Sequence, residues 1–150
     1  MTIMIISGCS KSNTDPTPSA TTVTITGLKV TAIPFIDPGC SCGWDINSGP
    51  DVYFKLADGV GNILVTSGIV TDAASVAPLS WTFTPAYTVT NLAATYQLYI
   101  YDKDTPPIDP DDLMASGSFT FSQYTSSHPT TIILQNGGGT FVTELTVTWQ

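Results

Sequence analysis

The sequence predicts an all-β fold, an antiparallel β-sandwich of about eight strands. Three features predict it. Hydrophobic residues make up 42% of the chain and charged residues only 11%, so there is enough apolar surface to build a core. Thr and Ser fill the polar positions where Lys, Glu and Arg usually stand, and β-branched Thr suits a pleated, half-buried surface. From residue 21 onward, short alternating runs are separated by Gly, Pro, Asp and Ser at regular intervals. Extended runs of helix formers are nearly absent, so helices are expected to be negligible.

The strands follow in order. Val23, Ile25, Leu28, Val30 and Ile33 mark a first long strand, with Gly27 placed as a bulge. A loop rich in Gly, Cys and Asp occupies residues 36–50. Residues 52–56 form a second strand, which turns through Ala57, Asp58 and Gly59 into residues 63–66. Residues 81–84 and 96–101 are the next runs, the latter with alternating faces. An Asp/Pro loop then spans Asp102 to Asp112. Residues 118–121, 131–134 and 141–149 complete the set, with Gly137–Gly139 read as a hairpin turn.

Charge excludes some functions. Twelve acids stand against 4 Lys and no Arg, for a net charge of -8. Nucleic-acid binding needs a basic stripe that displaces counterions, and none exists here. Direct binding to an anionic membrane is repulsive unless a cation lies between.

The N-terminus reads as an address. Ile6-Ser7-Gly8-Cys9 closes an apolar opening segment and resembles the bacterial lipobox, whose cysteine is lipidated and becomes the mature N-terminus. No Lys or Arg precedes Cys9, where a full signal peptide carries a basic n-region and a longer apolar run, so residues 1–9 are read as a signal remnant. An ordinary first strand over residues 1–8 is the alternative. Residues 10–20 are polar and Pro-punctuated, as a flexible linker is. Residues 21–150 are the folded domain. This implies a cell-surface or outer-membrane lipoprotein of a bacterial envelope, held by lipid rather than by a spanning segment.

Cys40 and Cys42 are separated by one residue. A bond across so short a gap is awkward against the usual Cα separation, which leaves a bridge, free thiols and an intermolecular disulfide all open. A soft-metal site formed with His128 lacks a fourth ligand.

Eight of the eleven aspartates fall in two windows: Asp37, Asp45 and Asp51 after the first strand, and Asp102, Asp104, Asp109, Asp111 and Asp112 in the later loop. If the two loops meet at one end of a sandwich, their carboxylates crowd together, and a hard dication with oxygen ligands is the natural neutraliser. Two separately solvated acidic turns are the competing reading.

The spacing adds to this. Asp45-Ile-Asn-Ser-Gly-Pro-Asp51-Val-Tyr-Phe-Lys resembles the first calcium loop of the C2 domain family, a calcium- and lipid-binding β-sandwich, with Val52 where Pro is usual. Tyr99-Ile-Tyr-Asp102-Lys-Asp104, continued by Asp112-Leu-Met, resembles the third loop, with a longer spacer and with Ala115-Ser116 in place of Gly. Residues 80–84 are similar to the family's Trp-containing strand, and residues 144–149 to its closing strand. The resemblance implies a C2-like sandwich with calcium loops at one end and Ca2+ ligands at Asp45, Asp51, Asp102, Asp104 and Asp112. Asp37, Asp109 and Asp111 have no counterpart and are read as extra ligands, partners of ligands or solvated turn residues. Among them Asp109 is the strongest candidate. An EF-hand does not fit, because no Gly or distal Glu stands at its offsets after Asp102.

The expected function is non-catalytic calcium binding, with a scaffold role or with protein or glycan as partner. Calcium-dependent phospholipid binding is the alternative, with Trp44 and Ile108, beside Pro106 and Pro107, as membrane-contact tips. A calcium-free immunoglobulin-like adhesive sandwich is the third reading. An enzyme is not expected: the single His128 has no nearby acid, and no nucleophile elbow or phosphate-binding loop appears.

Overall fold

The computed structural model describes residues 20–45, 48–74, 78–104 and 110–150. The lipidation candidate Cys9, most of the linker, Ile108 and Asp109 lie outside these residues.

Two four-stranded antiparallel sheets face each other. The strands are β1 (Val23–Ala32), β2 (Ile36–Asp37), β3 (Cys42–Gly43), β4 (Val52–Asp58), β5 (Ile63–Thr66), β6 (Leu79–Val89), β7 (Tyr96–Asp102), β8 (Asp112–Phe119), β9 (Thr131–Gln135) and β10 (Val142–Trp149). One sheet has the order β6-β1-β10-β9 and the other β5-β4-β7-β8, while β2 and β3 pair as a separate small hairpin. Ten strands therefore stand where about eight were expected, because β2 and β3 form inside the loop that the sequence assigned to residues 36–50. Helix is confined, among the described residues, to one 3-10 turn at Ser122–Tyr124. None of the described helices is long and apolar enough to cross a membrane.

Alternation explains the core. Along β1, Val23, Ile25, Leu28 and Val30 are buried, and the inward parity survives because the register shifts between Ile25 and Gly27 against both neighbouring strands. That is the bulge expected at Gly27. From β7, Tyr96, Leu98 and Ile100 face the opposing sheet, and β10 answers with Leu145 and Val147. Phe54, Phe119 and Phe121 fill the space between.

Two strands differ from expectation. β6 continues past residue 84 through Pro85 to Val89, with residues 83–86 standing opposite Thr26 alone. As an edge strand it has no outer neighbour to require the missing N–H of Pro85. β8 starts at Asp112 rather than residue 118, because its small residues Ala115–Ser118 conceal a strand whose inward anchors are Met114 and Phe119. Gly117 packs closely there, since a Cβ would lie 3.1 Å from the Phe141 ring, which would have to shift slightly.

Candidate cation site

The site lies where β4 and β7 end. In β7, the parity that buries Tyr96, Leu98 and Ile100 continues to Asp102, so a carboxylate takes an inward position and is only 1% exposed. Val52 pairs with Asp102, and just beyond it the Asp51 N–H donates to Asp102 Oδ1 at 2.6 Å while the Lys103 N–H donates to Asp51 O at 2.9 Å. These two bonds fasten the loop before β4 to the loop after β7.

Asp102 Oδ2 is buried with no hydrogen-bond partner among the described residues. A buried anionic oxygen without a donor is costly. Desolvation pushes the Asp102 carboxyl up to about 6, with the negative charges of Asp45 and Asp104 adding to the rise and the Asp51 N–H opposing it. Carboxylate oxygens of Asp45, Asp102 and Asp104 all lie within 4.8 Å of one another. Three acids from two loops thus converge, one of them with an unsatisfied buried oxygen, as expected of a functional cluster.

The five-residue set implied by the C2 resemblance divides here. Asp45, Asp102 and Asp104 come together; Asp51 and Asp112 do not join that cluster. Asp51 turns its Oδ1 to the Asp72 N–H at 2.9 Å and ties in the loop at residues 70–74. Asp112, at the start of β8, pairs with Asp102 through the backbone but is exposed. Its neighbour Asp111 is the engaged residue: it accepts from Lys103 Nζ at 2.7 Å, Tyr53 Oη at 2.6 Å and the Asp104 N–H at 3.2 Å. Burial pushes the Asp111 carboxyl up, but those donors outweigh it and hold the group below its usual range. Burial also raises the Tyr53 hydroxyl, and the bond to Asp111 reinforces the rise. Asp111 therefore positions the chain around Asp104, a partner role that the sequence left open.

Asp37 is a turn residue, accepting the Gly39 N–H at 2.7 Å. Cys40 and Cys42 are bonded to each other, with Cα atoms 5.2 Å apart, inside the range a disulfide spans. The bridge expected to be awkward is accommodated because Ser41 takes a left-handed φ of 57° and reverses the chain. Asp37 lies beside these sulfurs, but sulfurs in a disulfide are not thiolate ligands. His128 packs instead on Trp149, with ring centroids 5.2 Å apart. Trp44 is half-buried against the core, its indole N–H donated to Pro34 O at 2.8 Å. It braces its own loop, which is poor geometry for a membrane-inserting tip.

Two structural residues were missed from sequence. Asp72 supplies its N–H to Asp51, and Gly49 lets the β3–β4 loop (loop one) lie against that segment: a Cβ on Gly49 would fall 2.2 Å from Ala73 O. A loop glycine between two aspartates was the available signal.

The donors are hard oxygens, and three converging carboxylates, one with an orphaned oxygen, fit a calcium ion, which takes six to eight oxygens. Asp45, Asp102 and Asp104 would hold it.

No family model matches the sequence, and no curated protein matches it. Among solved structures, the chain is similar to one described as a C2 domain, with a TM-score of 0.58 at 16% identity over 86% of this chain and 97% of that one. It is similar to extended-synaptotagmin 2 spanning its SMP domain and two C2 domains, with a TM-score of 0.59 at 14% identity over 89% of this chain. Human GIVD cytosolic phospholipase A2 also resembles it, with a TM-score of 0.57 at 16% identity over 89% of this chain. The chain spans 28% and 17% of those two larger proteins. The fold is that of a C2 domain.

Proposed function

We propose that this chain is a calcium-binding C2-fold domain of a bacterial cell-envelope lipoprotein, with a non-catalytic binding or scaffold role. The observation that supports it best is Asp102: an inward carboxylate whose buried Oδ2 lacks a donor and which has the oxygens of Asp45 and Asp104 within 4.8 Å. A bound dication would neutralise this cluster and tie the two loops together. Outside a cell, where calcium is commonly millimolar, even a weak site of this kind stays filled and stabilises the domain by mass action. Attachment through Cys9 would leave the calcium end free to bind protein or glycan.

Calcium titration of the full chain, read by calorimetry and by thermal unfolding, tests this reading. Calcium-dependent heat and a raised Tm are expected, both lost in Asp102→Asn with Asp104→Asn. An unchanged Tm at millimolar calcium sinks it.

A second reading, calcium-dependent phospholipid binding, is favoured by one observation: Ile69 and Leu113 are 47% and 48% exposed, and Leu113 adjoins Asp112 at the start of β8. Against it stand the charge of -8 and the four lysines. Sedimentation with phosphatidylserine vesicles, with and without calcium, separates the two. Recruitment only with calcium, lost on Leu113→Ser, selects the lipid reading.

A further inference from the structure

The calcium reading makes no use of the disulfide at the turn of the β2–β3 hairpin. Cys40 and Cys42 are both exposed. The bond closes a loop of a single intervening residue, so it constrains the unfolded chain little and adds little to global stability. Its effect is local. It holds Ser41 at φ 57°, a conformation that residues other than glycine rarely adopt. It also closes a hairpin with only two register pairs, Ile36 with Gly43 and Asp37 with Cys42, and so short a hairpin is marginal alone. Immediately after that hairpin come Trp44, bonded to Pro34 O, and then Asp45 of the carboxylate cluster.

We propose that the Cys40–Cys42 disulfide is an exchange site for external dithiols, and that opening it loosens the β2–β3 hairpin that delivers Asp45 to the cation cleft. The cleft's role rests on the calcium reading; the exchange and the loosening do not. An exposed disulfide is the labile kind. The chemistry is a two-step displacement. A thiolate of the dithiol attacks Cys42 Sγ, forming a mixed disulfide as the Cys40–Cys42 bond breaks. Cys40 leaves as a thiolate and takes a proton from water. The second thiolate of the dithiol then attacks the dithiol's own sulfur in the mixed disulfide and releases Cys42. The dithiol becomes a cyclic disulfide, losing two electrons to the cysteine pair. The departing Cys40 sulfur faces the Cys42 N–H at 3.3 Å.

The test uses the full chain with Cys9→Ser, so that only this pair reports. The protein is treated with dithiothreitol and a calcium chelator without denaturant, then labelled with a maleimide and weighed. Two labels are expected under native conditions, at a rate within roughly tenfold of the urea-unfolded chain. By NMR, the indole N–H resonance of Trp44 should shift or broaden on reduction, while those of Trp81 and Trp149 stay in place. The calcium midpoint should weaken about tenfold on reduction, and Cys40→Ser with Cys42→Ser should reproduce the reduced state. Labelling only in denaturant, an unmoved Trp44 resonance, or equal calcium midpoints in the two redox states overturns the proposal. If neither state binds calcium, the calcium reading fails on its own, and labelling with the Trp44 resonance still decides the exchange.

Discussion

The backbone N–H of Asp51 donates to Asp102 Oδ1 at 2.6 Å, which leaves the other oxygen of the same carboxylate buried and without a donor. One oxygen fixes the two loops together, and the carboxylate has oxygens of Asp45 and Asp104 within 4.8 Å. The carboxylate therefore both joins the two loops and belongs to the acidic cluster, and substitutions at Asp102 test both.

Calcium should stabilise the folded chain. At a hundredfold excess over Kd, mass action adds about 2.7 kcal/mol, roughly 8 °C in Tm for a chain of this size. Asp104→Asn should reduce that shift while leaving the calcium-free Tm nearly unchanged. Asp102→Asn should abolish it, and can raise the calcium-free Tm because a buried negative charge is removed. Differential scanning fluorimetry with calcium or with a chelator checks both variants.

Without calcium, stability should depend on pH in the direction set by Asp102. Its folded-state carboxyl is raised to about 6 from an ordinary value of 3.8, so the folded chain holds this proton more tightly than the unfolded chain. The stabilising contribution is fully present below about 4 and is lost as pH rises through about 6, an effect on the order of 1–3 kcal/mol. Calcium affinity should move the other way, strengthening as the carboxyl deprotonates. Urea unfolding between pH 4 and 7.5 in the presence of a chelator measures the slope. A slope unchanged in Asp102→Asn assigns it elsewhere.

Much of this was legible in the sequence, for physical reasons that also explain the misses. β1, β4, β7 and β10 pair large apolar residues at alternate positions, so two-residue periodicity reveals them. The same parity, carried one step past Ile100, already places Asp102 inward; treating it as the first residue of a loop concealed that. β8 was hidden because Ala115, Ser116, Gly117 and Ser118 have little side chain to pattern, and the β2–β3 hairpin because Gly and Cys dominate it. Spacing could place Asp51 and Asp112 beside the site, but not decide where their carboxylates turn. For Asp51 that depends on the Asp72 N–H; in the later loop it is Asp111, not its neighbour Asp112, that takes Lys103 and Tyr53 as partners.

Thr143 on β10 is fully buried, and its hydroxyl has no partner among the described residues. A desolvated donor left unmade costs about 1–3 kcal/mol. Thr143→Val keeps the branched shape and removes that cost, so the variant should be as stable as the parent or more stable by about 1 kcal/mol. Thr143→Ser keeps the hydroxyl and removes a methyl, and should be destabilised by about 1 kcal/mol. Chemical denaturation of the two variants gives the sign, and a Val variant clearly less stable than the parent would reveal an unrecognised partner for the hydroxyl.

Gly49 links loop one to the segment that supports Asp51. A Cβ there would lie 2.2 Å from Ala73 O and 2.9 Å from its carbonyl carbon, and backbone cannot swing aside as a side chain tip can. Gly49→Ala should therefore force loop one away from residues 72–74 and strain the Asp72 N–H bond to Asp51. The expected loss is about 1–3 kcal/mol of stability. The cation effect should exceed that of a remote lesion of equal cost, because Asp45 lies on the displaced loop and the Asp51 N–H anchors Asp102. Phe119→Leu is a suitable control, since this core change lies on β8 away from loop one. If both variants lower Tm equally and bind calcium equally, the packing of loop one at Gly49 does not shape the cleft; a weaker calcium midpoint in Gly49→Ala alone shows that it does.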